Sequence, residues 1–309
     1  MTADLVVALS LFTACCFGLQ ALVVGRGLDG ASDLDAPAFA AALVSVVVSL
    51  VAFWGVALVR GASLPADPAR LRPFVAAGVL YPAAFRLLYY AGIDRVGPSV
   101  SAAVVTANPV VAVALAVVAF GAPLPVSDAV GLLAVVGGGA LLQFVGKSAG
   151  PDADDPVLTA LGDADPRAFA YPVGAALAVG VGYVVVDWGL AGFPRPLVAT
   201  AVTQTTAAVV FAGAAVVSPA RRRTARAVWT RPRALVPFVV AGALVAAAWL
   251  GQFAALRLGD VVVVLPLVYT YPLLVVGATY AAAGAPPRSP RLLGAVVAIV
   301  AGVALTQVA

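Results

Sequence analysis

The chain has no histidine, no glutamate, one lysine (Lys147), one methionine and two cysteines. Without histidine, His-ligated metal centres and nucleophilic triads built on an imidazole base are excluded. Without glutamate, a glutamate proton carrier is excluded as well. Cys15 and Cys16 are neighbours in an apolar stretch. Adjacent helical residues point about 100° apart, too poor a geometry for a bridge, so both read as small packing residues. Charge is also scarce. Only 10% of residues are charged, against about 25% in a soluble domain, so this chain cannot cover a water-facing surface of its own.

What is abundant is apolar. Hydrophobic residues make up 63% of the 309 positions and the mean hydropathy is +1.07, which belongs in a bilayer. Ten runs are long enough to span one, near 4–25, 37–59, 74–93, 98–120, 127–146, 168–190, 196–218, 234–256, 260–282 and 290–308. Turn residues separate them, as at Val96-Gly97-Pro98, Gly121-Ala122-Pro123 and Gly192-Phe193-Pro194. The first run has no basic start and is long for a signal peptide, so it reads as a retained span. The net charge of +4 sits mostly in one arginine-rich loop and speaks of lipid and topology, with no nucleic-acid partner expected.

The chain also repeats itself. Phe74, Gly78 and Ala91 recur as Phe238, Gly242 and Ala255 at one constant spacing, which Gly18 and Gly25 share with Gly182 and Gly189. Pro109, Gly121, Pro123, Gly131 and Gly139 recur one residue closer, as Pro272, Gly284, Pro286, Gly294 and Gly302. The Asp-rich segment 147–167 divides the spans five and five, and reads as a solvated join. The expected organisation is therefore a first five-helix repeat over 1–146, an acidic linker over 147–167, and a second five-helix repeat over 168–309. An odd number of spans per half makes the second enter the membrane from the opposite side, so the fold class expected is an all-α membrane protein of ten transmembrane helices in two inverted-topology repeats. The count of arginines places the loops with Arg26, Arg95, Arg167 and the six arginines of 221–233 on the cytoplasmic side, with both termini outside.

Three stretches carry a family resemblance: Phe17-Gly18-Leu19-Gln20; Phe85-Arg86-Leu87-Leu88-Tyr89-Tyr90-Ala91-Gly92-Ile93, running into Ser99 and Asn108-Pro109; and the echo of the second, Trp249 to Gly259, running into Tyr271-Pro272. In this pattern the chain resembles the EamA-type ten-helix members of the drug/metabolite transporter superfamily over nearly its whole length. The resemblance implies an inverted-repeat transporter with a cavity between its halves, export as the direction, and both termini cytoplasmic, against the arginine count. The sequence departs from the family where a glutamate is common before spans five and ten. Here Pro123-Leu124-Pro125 and Pro286-Pro287-Arg288 stand instead.

Candidate site residues follow from polarity at membrane depth. Arg86 falls mid-span, where a charge marks a functional site. It could hold a substrate carboxylate or phosphate, pair with Asp187, or snorkel, and Tyr90, four residues on, could stack on its guanidinium. Pro109, Pro266 and Pro272 would kink spans four and nine, shaping a cavity or only the packing. Asn108 and Tyr271 precede two of them. Gln20, Gln204, Trp249 and Gln252 add polar or aromatic lining, and Ser45 and Ser49 share one face of span two. Asp187 reads as an interfacial residue or a proton carrier. No metal, no cofactor and no enzymatic activity is expected. The expected function is a secondary transporter of the cell membrane, multi-pass, that moves a small polar or amphipathic metabolite (an amino acid, a nucleobase or similar) by alternating access. The alternative is a channel-like or non-transporting protein on the same bundle. The expected partners are the small-molecule substrate, the lipid bilayer, and a second copy through small-residue faces on spans five and ten.

Overall fold

A computed structural model describes residues 2–96, 125–145 and 166–258 continuously, with scattered positions in 101–121 and 264–305. The described chain is helical. Its elements are α1 (Thr2–Asp29), α2 (Pro37–Val59), α3 (Arg72–Gly78), α4 (Phe85–Val96), α5 (Val126–Val145), α6 (Ala170–Gly192), α7 (Pro196–Val217), α8 (Pro219–Ala227) and α9 (Pro232–Leu258). Proline opens α2, α7, α8 and α9, at the one helical position where a missing N–H costs nothing. Six helices or helix pairs among the described residues are long and apolar enough to cross a membrane: Asp4–Asp29, Pro37–Val59, Pro68–Val96, Arg167–Gly192, Pro196–Val217 and Pro232–Ala255. Their outer faces carry bare aliphatic side chains, such as Val51, Val209 and Val216, as a lipid-facing surface requires. The spans expected near 98–120, 260–282 and 290–308 lie largely outside the described residues, as do Pro109, Pro266 and Pro272.

Close approach at glycines sets the helix pairing. A Cβ on Gly30, just past α1, would lie 2.6 Å from the Arg233 carbonyl oxygen at the start of α9, and one on Gly27 would enter Phe238 and Pro237. At the other end of the same pair Thr13 donates to the Ala248 carbonyl at 3.2 Å. So α1 and α9 run antiparallel along their length. α6 pairs with α3 and α4 in the same manner: Gly92 faces Pro172, and Gly189 faces Phe74 and Pro73. Between these pairs α2 and α7 run antiparallel, joined by the Phe39–Phe211 edge contact at 5.5 Å and by the Trp54 indole donating to Thr205 at 2.9 Å. Gly78 of α3 seats on α7 at Thr203 and Thr206, and Gly242 of α9 seats on α2 at Val48 and Ser45.

The span drawn near 74–93 is not one continuous rod. Tyr81 has φ −138° and ψ 112°, extended values inside what is otherwise helix. Proline at 82 pushes its predecessor out of the α region, which accounts for the break.

The two ends of the bundle differ in charge. Arg231 pairs with Asp33, and Arg223 pairs with Asp35 at 2.8 Å, so the α1–α2 loop and the α7–α9 connection share one arginine-rich end. Arg95 lies over the Tyr171 ring at 4.1 Å at that same end. At the opposite end Arg195 donates to the Ser63 hydroxyl at 2.6 Å. Both ion pairs are solvent-exposed, so each is worth about 0–1 kcal/mol. In a Cys15→Ala/Cys16→Ala background, Asp33→Cys with Arg231→Cys is therefore expected to cross-link through a short bis-thiol reagent with little loss of stability. Asp33→Cys with Arg195→Cys is expected not to link. Equal yields for the two pairs on a denaturing gel would contradict this arrangement.

Candidate functional site

The interior polar residues gather where α1, α2, α4, α7 and α9 meet. Ser45 and Ser49 lie one turn apart on α2, 1% and 0% exposed, with their hydroxyls donating to the carbonyls of Ala42 at 3.3 Å and of Ser45 at 2.8 Å. Arg86 reaches across from α4. Its two terminal nitrogens donate to Ser45 Oγ at 3.2 Å and to Ser49 Oγ at 3.4 Å, and the residue is 2% exposed. A guanidinium is thus enclosed among the spans with hydroxyl groups as its partners and no carboxylate among them.

One expectation for Arg86 is corrected. Tyr90 does not stack on the guanidinium; among the described residues the cation–ring contacts are made by Arg95, Arg195 and Arg221. Tyr90 is instead held by α1, its hydroxyl accepting from Gln20 Nε2 at 3.0 Å, while Arg86 extends to α2. For the other expectation, a pairing with Asp187, only the backbone position is described. Gly174 faces Leu88, Gly182 faces Tyr81 and Gly189 faces Phe74, so the backbone at 187 is level with the start of α3, roughly 15 Å along the bundle from Arg86. The Asp187 side chain lies outside the described residues.

Below the serines the site turns aromatic. Phe53, one turn beyond Ser49, packs with Trp249, Ala201 and Val245. Trp249 meets Tyr81 at 5.4 Å, Tyr183 at 6.0 Å and Phe17 at 6.2 Å between ring centroids, and Tyr81 meets Tyr183 at 5.4 Å. Sequence reasoning named Trp249 and missed Tyr81 and Tyr183. The signal for Tyr81 was the proline after it; Tyr183 stands next to Gly182, whose bare Cα admits Tyr81.

Of the other candidates, Gln204 and Gln252 are buried, and Gln204 Oε1 and Trp249 Nε1 have no hydrogen-bond partner among the described residues. Asn108 donates to the Val105 carbonyl at 2.7 Å, with its backbone against Gly180 of α6. Tyr271 is half-buried and has a partner of its own. Two clefts open at the end opposite the arginine-rich α7–α9 connection. One of about 240 Å³ is lined by Arg70, Pro73, Trp188 and Gly192, the other of about 500 Å³ by Ser63, Asp67, Arg70, Phe193 and Arg195. Neither of these two clefts is lined by Arg86, which is 2% exposed and so covered in this conformation.

Tyr90→Phe is expected to cost about 1–3 kcal/mol, because it leaves the buried Gln20 amide without its acceptor. Gln20→Leu combined with Tyr90→Phe is expected to recover most of that loss, since neither polar partner then remains. Thermal unfolding in detergent reads both. A double variant no more stable than Tyr90→Phe alone would show that the pair does not act as a unit.

Comparison with known proteins gives two findings. Residues 5–144 match the EamA-like transporter family. A solved crystal structure, titled only as that of a protein, superposes with a TM-score of 0.58 at 16% identity, covering 97% of this chain and 98% of its own; at that identity the likeness is one of fold. No curated protein matches the chain.

Proposed function

We propose, because residues 5–144 match the EamA-like transporter family, that the chain is a member of the drug/metabolite transporter superfamily and works as a secondary carrier of a small polar or amphipathic metabolite. The match over residues 5–144 and the six membrane-length helices support a multi-pass membrane protein of the transporter type. The rest is our reading. Ten spans form two inverted five-helix repeats, over 1–146 and 168–309, in the cell membrane. The halves rock about one central site and carry the metabolite outward.

Support for the inverted arrangement comes from contacts that repeat with the halves exchanged. Gly27 rests on Pro237 and Phe238, and Gly189 rests on Pro73 and Phe74; the two Pro-Phe pairs are counterparts in the sequence repeat, and Gly27 lies two residues from Gly25, the counterpart of Gly189. The observation that carries the functional reading is the buried polar strip contributed by both halves: Gln20, Ser45, Ser49, Arg86 and Tyr90 from the first, Gln204 and Trp249 from the second. A scaffold has no need to enclose an arginine among its spans, whereas a carrier needs polar groups that can face each side in turn.

The experiment is radiolabelled counterflow in proteoliposomes against a panel of metabolites. Saturable uptake, accelerated by unlabelled substrate inside, is expected. Linear, ion-selective current without counterflow would favour the channel reading instead.

A further inference from the structure

Among the described residues, the fixed charge enclosed between the spans is that of Arg86. Arg86 is enclosed, with serine hydroxyls as its hydrogen-bond partners. The chain has no glutamate. Asp4, Asp29 and Asp94 stand at the ends of their helices, and residue 187 lies two to three turns from the Arg86 level by the glycine contacts. A guanidinium is a planar fork that matches a carboxylate with two parallel hydrogen bonds. Serine hydroxyls align such a fork without neutralising it. A zwitterionic amino acid would bring an ammonium group to this same place. Nothing described at the Arg86 level offers that ammonium a negative partner, and the arginine repels it.

The aromatic groups begin one helical turn further on, at Phe53, and continue through Trp249, Tyr81 and Tyr183. A turn is about 5.4 Å, close to the reach of a short chain between a carboxylate and a ring. We propose that the cargo is a net anion, an organic acid without an ammonium group, whose carboxylate docks on Arg86 and whose apolar body lies against the Trp249–Tyr81–Tyr183 rings. This rests on the carrier reading and narrows it, setting acids above amino acids and nucleobases. The conformation described is closed over the guanidinium, so the anion enters in an arrangement that opens α2 from α4.

Three probes with one body test the claim: 3-phenylpropionate, its neutral amide 3-phenylpropionamide, and the zwitterion phenylalanine. Titration calorimetry and thermal shift are run on the full chain in detergent, with the parent, Arg86→Gln and Arg86→Lys. The parent is expected to prefer the acid over the amide by about 100-fold, the scale of a buried charge-assisted pair, and over phenylalanine by about tenfold or more. Arg86→Gln should bind acid and amide alike, and Arg86→Lys should keep part of the preference. The proposal is overturned if the parent binds amide or phenylalanine as well as the acid, if Arg86→Gln keeps the preference, or if the parent binds none of the three. Counterflow separates the two readings. Arg86-dependent binding of the acid without counterflow keeps the anion site and sinks the carrier. Counterflow of the amide untouched by Arg86→Gln keeps the carrier and sinks the anion site.

Discussion

Arg86→Met is expected to leave the thermal midpoint in detergent unchanged or higher, while counterflow of the transported metabolite falls by about 100-fold or more. The two halves of this result come from different physics. A charged side chain at membrane depth costs at least about 2.5–3.5 kcal/mol relative to an apolar one, and here the described hydrogen-bond partners that offset it are hydroxyl dipoles. Methionine fills a similar straight-chain volume without that cost. Removing the arginine also orphans nothing, because Ser45 and Ser49 still donate to the carbonyls of their own helix. A structural arginine would behave otherwise: the midpoint would drop by several degrees and transport would fall only with the amount of folded protein. That outcome, read by differential scanning fluorimetry beside flux per folded molecule, would remove Arg86 from the functional site.

Gly78→Leu and Gly242→Leu are expected to be the most disruptive single changes in the described helices. A Cβ at 78 would sit 2.6 Å from Thr206 Cβ and 2.7 Å from the Thr203 carbonyl oxygen; one at 242 would sit 2.8 Å from Val48 Cβ and 3.0 Å from Ser45 Cα. Backbone atoms cannot rotate away, so the helices must separate. Overpacking of this kind costs about 1–3 kcal/mol and sometimes more, and leucine places three further carbons beyond the offending one. At 242 the displaced residue is Ser45, an acceptor for Arg86, so transport should fall further than stability explains. Gly55→Leu and Gly213→Leu serve as controls, with nothing within 4 Å of either Cβ. If all four variants unfold at the same temperature, close glycine packing is not what holds α3 to α7 and α9 to α2.

Helices bounded by proline or glycine were legible in the sequence almost to the residue. α2 starts at Pro37 and ends at Val59 as read, and α7 starts at Pro196 and ends one residue early. Hydropathy alone marks such limits, because lipid tolerates only uninterrupted backbone bonding. The break at Tyr81 was not legible, since a hydropathy window counts side chains and passes over a proline flanked by apolar residues. At the centre, the individual groups could be named: Gln20, Tyr90, Arg86 and the Ser45–Ser49 face each stand out as polar in an apolar run. Their partners could not. Tyr90 was expected on Arg86, four residues away on its own helix, yet its bond comes from Gln20, seventy positions upstream. Local spacing says which residues share a helix face; only the packing of α1 and α2 against α4 decides which of them meet.

Among the described residues, an amide oxygen on Gln204 and an indole N–H on Trp249 are both sealed from solvent and find no hydrogen-bond partner. Each forfeits about 1–3 kcal/mol relative to a bonded state. A shape that leaves such groups unsatisfied lies uphill of one that engages them, with either a guest molecule or a shifted helix as the new partner. On the proposed carrier reading, these two atoms mark where a guest molecule or a shifted helix would find a partner.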